Sequence, residues 1–161
     1  MANVSAEAFK AAMRRFPTGV TVVTSVKNGE PRGVTVSAFA SVTLEPPTVL
    51  ICVNREARSY LFISTSKIFC VNILSAEQRR LAERFAARIR DRQFEGVPYS
   101  IDRTGAAVLE GCLAHLDCEV TEEHHAGSHS IFIGRVVSLD ARDGSPLGYF
   151  DSRYHDFTLE A

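Results

Sequence analysis

Several fingerprints that would settle a function outright are missing from this chain. Neither Gly-x-Gly-x-x-Gly nor Gly-x-x-x-x-Gly-Lys-Ser/Thr occurs, so a nucleotide phosphate would not sit in a Rossmann or P-loop cradle. No apolar run approaches the roughly 20 residues that a helix needs to cross a bilayer. The opening Met1-Ala2-Asn3-Val4-Ser5 lacks the charged start and long apolar core of a signal peptide, so a cytoplasmic protein without membrane attachment is expected. Charge of one sign is also missing. With 18 basic and 19 acidic residues the net charge is -1, which provides no basic stripe for a nucleic acid. The four cysteines, Cys52, Cys70, Cys112 and Cys118, contain no Cys-x-x-Cys pair. Cys112 and Cys118 fall on one face of a single predicted strand, about 20 Å apart at roughly 3.3 Å per residue. A disulfide allows roughly 7 Å, so reduced core thiols are expected.

What is present reads as one domain over 1–161, long enough to bury a single core. Ser5 can cap a first helix whose Phe9, Met13 and Phe16 form an apolar stripe, with Lys10, Arg14 and Arg15 off it and Pro17 and Gly19 ending it. Val20 to Val26 is β-branched and apolar, Asn28-Gly29 is a strong hairpin signal, and Arg32 to Ala38 is the return strand. Pro46-Pro47 marks the turn between Val42 to Leu44 and Thr48 to Val53, because proline cannot donate to a ladder. Ser59 to Ile63 reads as a short helix and Ile68 to Ile73 as a buried strand. Ser75-Ala76-Glu77-Gln78 has capping-box spacing and opens a helix running to about Phe85. Arg88 to Tyr99 is the least regular segment and is expected to be a loop. Cys112 to Val120 alternates apolar with polar residues, as in a half-buried strand, and Ile131 to Leu139 is its partner through His124 to His129. Many short strands with hairpin signals, and no regular βαβ alternation, predict a closed antiparallel barrel with two or three helices attached.

The stretch from Gly33 to Ser59 carries the chemistry. Thr35, Val36, Ser37, Ala38 and Ser41 place amides and hydroxyls along one edge of a slot, and Cys52, Val53 and Asn54 line its other side. Small residues of this kind let backbone approach a flat, phosphorylated heterocycle; a bulged strand is the plainer reading of Ser37 to Ser41. Ser59, where a helix begins near Arg55 and Arg58, offers a hydroxyl beside free helical amides, either as a phosphate seat or as a simple N-cap. His124, His125 and His129 form a His-His-x-x-x-His cluster, but no Cys or carboxylate sits at matching spacing in that loop, so no metal is expected.

Five segments in order resemble the short-chain flavin reductases, the NAD(P)H-dependent components that feed reduced flavin to two-component monooxygenases. They are Arg15-Phe16-Pro17-Thr18-Gly19-Val20-Thr21-Val22-Val23-Thr24, the stretch Gly33 to Ser59, Phe69-Cys70-Val71-Asn72-Ile73-Leu74-Ser75-Ala76-Glu77-Gln78, Gly127-Ser128-His129 with Ile131-Phe132-Ile133-Gly134-Arg135-Val136, and Pro146-Leu147-Gly148-Tyr149-Phe150. The resemblance implies an FMN-binding split β-barrel, antiparallel and Greek-key-like, with a few peripheral helices, built as a homodimer. It implies FMN or FAD on Thr35 to Ser41 and Cys52 to Ser59, with Phe85 and Arg90 as weaker flavin contacts. It places His129, from a Gly-Asp-His motif whose middle residue is here Ser128, and Tyr149 beside the nicotinamide of NADH or NADPH. The reaction implied is hydride transfer from nicotinamide to flavin with no protein nucleophile, His129 serving to position. Reduced flavin would then diffuse to a flavin-dependent monooxygenase. Competing readings are a flavin- or heme-binding module of the same barrel without reductase activity, a pyridoxamine phosphate oxidase-like enzyme, and a dimerisation domain.

Overall fold

The computed structural model describes residues 3–87 and 92–157. Its sheet grows from the turn that the sequence marks most clearly. Asn28 and Gly29 both take positive φ, 53° and 78°, so β2 (Thr21–Lys27) folds straight back as β3 (Glu30–Val36). A two-residue β1 (Thr18–Gly19) precedes them. After them come β4 (Phe39–Leu44) and β5 (Pro47–Asn54), joined at the prolines, where the Glu45–Pro46 peptide is cis. Next are β6 (Ile68–Ile73), the short β7 (Tyr99–Ile101) and β8 (Ala107–Leu109), and a long pair, β9 (Ala114–Ala126) and β10 (His129–Ala141). The last strands are β11 (Leu147–Phe150) and β12 (Arg153–Asp156). The helices are α1 (Ala6–Met13), α2 (Arg58–Ser66) and α3 (Arg79–Ala86). The capping box at Ser75 forms, with Gln78 Oε1 accepting from the Ser75 amide at 3.0 Å, but the first turn, Ala76–Gln78, is 3₁₀.

Seven strands pair in the order β3-β2-β6-β9-β10-β5-β4, every neighbour antiparallel. In a flat sheet of that width the outer strands would stand roughly 29 Å apart, at about 4.8 Å per step. Yet β3 ends at Val36 and β4 starts at Phe39. Those few Cα steps of about 3.8 Å span at most about 11 Å. The sheet therefore rolls until its two edges meet at Ser37-Ala38, and the Cys52 amide clasps the join by donating to the Ala38 carbonyl at 3.0 Å. The mainly antiparallel β architecture predicted from strand spacing is the one present.

Rolling gives the sheet an inside and an outside. Val23, Ile51, Val53, Phe69, Val71 and Phe132 fill the inside. Fully burying each such side chain is worth roughly 1.5–3 kcal/mol. Gly134 is glycine because a Cβ there would lie 2.5 Å from the Phe69 ring. Outside, β2, β6 and β9 are covered as well. Val20, Val22, Leu74 and Leu147 pack with Ala82 and Phe85 of α3, and the β7–β8 arm lies over Asn72 and Asp117.

This double cover corrects the alternation predicted for Cys112 to Val120. The strand starts at Ala114, leaving Cys112 in the preceding turn, and Asp117, on the predicted polar face, is fully buried. Its carboxylate accepts from the Thr104 amide (2.7 Å) and hydroxyl (2.5 Å). All four cysteines are free thiols. The histidine stretch is ladder, with His125 opposite Ser130, and only Gly127-Ser128 turns the hairpin. The predicted loop Arg88 to Tyr99 falls partly outside the described residues; in its described part Gln93 and Phe94 pack inward.

Candidate functional site

The open stretch of the roll is the end where β3 crosses to β4 and β5. Strand β5 alternates, with Val49, Ile51 and Val53 inward and Cys52 and Asn54 on the other face. Register places His129 opposite Asn54 and Ile131 opposite Cys52, so these side chains share the outer face. Ser37 and Ala38, both exposed, bridge beside them. The Arg55 amide donates to the Ser128 carbonyl at 2.9 Å, tying the β9–β10 tip to the turn that leads into α2. That turn is shaped by Asn54, whose Oδ1 accepts from the Glu56 amide at 2.9 Å. Next to it, Ser128 Oγ lies 2.9 Å from His129 Nδ1, leaving Nε2 of the exposed imidazole outward.

The structure thus brings Ser37, Ala38, Cys52, Asn54 and His129 together, although His129 is remote from the others in sequence. Ser41 is exposed on β4, beside a register shift between Ser41 and Thr43. Other predicted contacts are placed differently. Val36 and Val53 are buried in the core and have only backbone to offer. The Thr35 hydroxyl donates to the Ala82 carbonyl of α3 at 2.7 Å, away from the rim. Phe85 is a core residue, fully buried, with its ring against Gly33 and edge-on to Phe94; no surface is left for a ligand. Ser59 is neither a cap nor an open hydroxyl. Ala57 occupies the N-cap, and the buried Ser59 Oγ donates to the Gly33 carbonyl at 3.1 Å. An anion at this helix end meets first-turn amides instead of that hydroxyl. Arg90 lies outside the described residues.

Tyr149 sits on β11 opposite Thr18 of β1, edge-on to Tyr154 at 5.3 Å. Together with Ser37 it lines a cavity of about 400 Å³ between α1 and the β11–β12 hairpin. Lys10, Arg14, Thr18 and Asp151 also line it, and sequence reasoning missed all four. The available signals were the polar side of α1, which looks like any solvated helix face, and the place of Thr18 in the first of the family-like segments. Burial raises the Cys52 thiol above its ordinary value, which disfavours the thiolate. His124 pairs with Glu122 at 2.8 Å and His125 with Ser130 at 2.9 Å. Among the described residues no three His, Cys, Asp or Glu side chains gather as metal ligands.

An antiparallel sheet rolled on itself, with a rim of small residues and exposed amides in place of a glycine cradle, defines a β-barrel protein that binds a small flat ligand. Comparison with known proteins narrows the class. The flavin reductase like domain matches residues 13–158, and the chain belongs to that family. It is 39% identical over 147 residues to the reductase subunit HsaB of a flavin-dependent monooxygenase from Rhodococcus jostii, covering 91% of this chain and 75% of that one. It is 35% identical over 156 residues to the FMN reductase (NADH) SmoA of Agrobacterium fabrum, covering 97% and 88%. Among solved structures it resembles the NADH:FAD oxidoreductase SgcE6 of Streptomyces globisporus in complex with NAD and FAD fragments. There the TM-score is 0.91, with 32% identity and coverage of 100% of this chain and 99% of that one. Among the described residues no helix is long and apolar enough to cross a membrane.

Proposed function

We propose that this chain is an NAD(P)H-dependent flavin reductase that passes reduced flavin to a separate flavin-dependent monooxygenase. The observation that carries the reading is the convergence of Ser37, Ala38, Cys52, Asn54 and His129 on one outer stretch of sheet that the described residues leave uncovered. When bound, FMN or FAD supplies an acceptor for the hydride of the reduced nicotinamide. The protein's part is placement. Ser37 and Ala38 are small enough for backbone to reach the edge of a flat ring, and Cys52 and Asn54 border its other side. First-turn amides of α2, with Arg55 nearby, face the phosphate. His129 presents Nε2 toward the nicotinamide and fixes its orientation; no side chain is needed as nucleophile.

The split-barrel description, a single domain over 1–161, a cytoplasmic location and release of diffusible reduced flavin are parts of the same proposal. So is a homodimer. Val42 (48% exposed) and Leu44 (84%) on the edge strand β4 leave apolar surface that a second copy would cover.

Mixing the protein with NADH or NADPH and FMN, FAD or riboflavin in air tests the reading. Flavin-dependent loss of the NAD(P)H absorbance is expected. Tight flavin or heme binding without that loss would instead make the chain a binding module.

A further inference from the structure

We propose that the cavity between α1 and the β11–β12 hairpin receives the pyrophosphate-bearing part of the reduced nicotinamide dinucleotide, with Arg14 as its main anchor. The proposal deepens the reductase reading and rests on it. Three observations carry it. The cavity, about 400 Å³, lies within the size range of small-ligand sites and adjoins the rim, because Ser37 belongs to both. Its lining has an apolar side, Phe9, Met13, Phe16 and Phe150, and a polar side that sets two cations, Lys10 and Arg14, against one carboxylate, Asp151. Among the described residues the Arg14 side chain has no hydrogen-bond or ion-pair partner, whereas Lys10 Nζ is engaged by Glu7 Oε1 at 3.2 Å in an exposed pair that a stronger anion can displace. Finally, Thr18 Oγ1 is buried and has no hydrogen-bond partner among the described residues. A buried hydroxyl without a hydrogen bond is costly, and one that also lines a cavity is poised to meet a polar ligand atom.

Guanidinium suits this task because its fork of donors matches two phosphate oxygens at once. Tyr149, across from Thr18 in the same lining, gives the adjoining ring an aromatic wall. The dinucleotide would then run from the His129 rim past Ser37 into the cavity. The phosphates take the cationic part and the reactive ring stays at the rim.

The test compares three hydride donors on the intact chain: NADH, reduced nicotinamide mononucleotide, and an N-benzyl dihydronicotinamide that bears no phosphate. Arg14→Ala is expected to raise KM for NADH about tenfold, the loss of one charge-assisted hydrogen bond. KM for the benzyl compound and the flavin dissociation constant should stay within about twofold, the mononucleotide should fall between, and Arg14→Lys should recover part of the loss. Thr18→Val should also weaken NADH while the melting temperature holds. Equal loss for all three donors, or no loss for NADH, overturns the proposal, and a loss of flavin affinity instead assigns the cavity to flavin. Titrating NADH into flavin-free wild type and Arg14→Ala, read by nicotinamide fluorescence, keeps the two ideas separate. A wild type that consumes no NADH sinks the reductase reading, and tighter NADH binding by wild type than by the variant would still support the cavity assignment.

Discussion

Two parts of the same outer sheet surface have opposite fates. Over β2, β6 and β9 the chain seals its own sheet: Asn72 donates to the carbonyls of Val22 (3.1 Å) and Ala107 (3.3 Å) and accepts from the Leu109 amide (2.8 Å), while Asp117 holds Thr104. Over β5 and β10 none of the described residues covers Asn54 and His129, which are exposed. Polar groups in the first region are satisfied internally and serve stability. In the second they are left for something else, and a protein gains nothing in stability from an uncovered stretch of sheet. Substitutions in the two regions should therefore fail in different ways.

Among the substitutions the largest effect is expected at Asn72→Ala. It leaves the Leu109 amide buried without its acceptor and takes a donor from the Val22 and Ala107 carbonyls, and should cost about 3 kcal/mol in urea unfolding. Flavin affinity of the folded fraction should not change. An affinity loss as large as the stability loss would break the division between the regions.

Alkaline pH should strike the sealed region next. Burial, reinforced by the Asp117 carboxylate, pushes the Cys118 thiol from 9.0 up to about 12. Cys70 is raised by the same two causes. Above pH 9 the unfolded thiols release protons that the folded ones keep, so stability is full below pH 9 and falls as pH rises toward 12. The slope is about 1.4 kcal/mol per pH unit for each thiol. Cys118→Ala should flatten that fall, measured as urea midpoint against pH; an unchanged slope would remove Cys118 from the account.

At the open region, His129→Ala should raise KM for NAD(P)H about tenfold and slow flavin reduction. Flavin affinity should stay within about threefold, under roughly 1 kcal/mol, and the melting temperature should hold. Flavin titration and stopped-flow reduction measure it, and lost flavin binding with unchanged nicotinamide kinetics would move His129 into the flavin site. The smallest effect belongs to Ser59→Ala. Its hydroxyl sits on the Gly33 carbonyl, so about 1 kcal/mol of stability should go while the ratio of FMN to riboflavin affinity stays fixed. A selective loss of FMN would return that hydroxyl to the phosphate.

Much of the fold was legible because local rules decide it. Asn28-Gly29 tolerates positive φ and dictates a hairpin, Pro46-Pro47 cannot continue a ladder, Ser75 and Gln78 reach each other within one turn, and the alternation of β5 is intrinsic to a pleated strand. The rim was legible through its run of small residues in a recognisable order. Three features were not. Phe85 had a helical position whose direction depends on what α3 lies against. The hydroxyls of Thr35 and Ser59 had local readings as good as their real ones, since Ala82 and Gly33 are distant in sequence.

By itself, then, the sequence determined the strand-rich antiparallel class, the turns, the small-residue slot and the family, because each rests on neighbours a few residues apart or on the order of short motifs along the chain. Only the tertiary structure decided which face of β9 is covered, which hydroxyls point inward, and that Arg14 and Thr18 share a cavity with Ser37 and Tyr149. The physical reason is closure. Where a sheet rolls and which elements lie across it depends on contacts between residues far apart in the chain, and no local pattern encodes what will cover a given side chain.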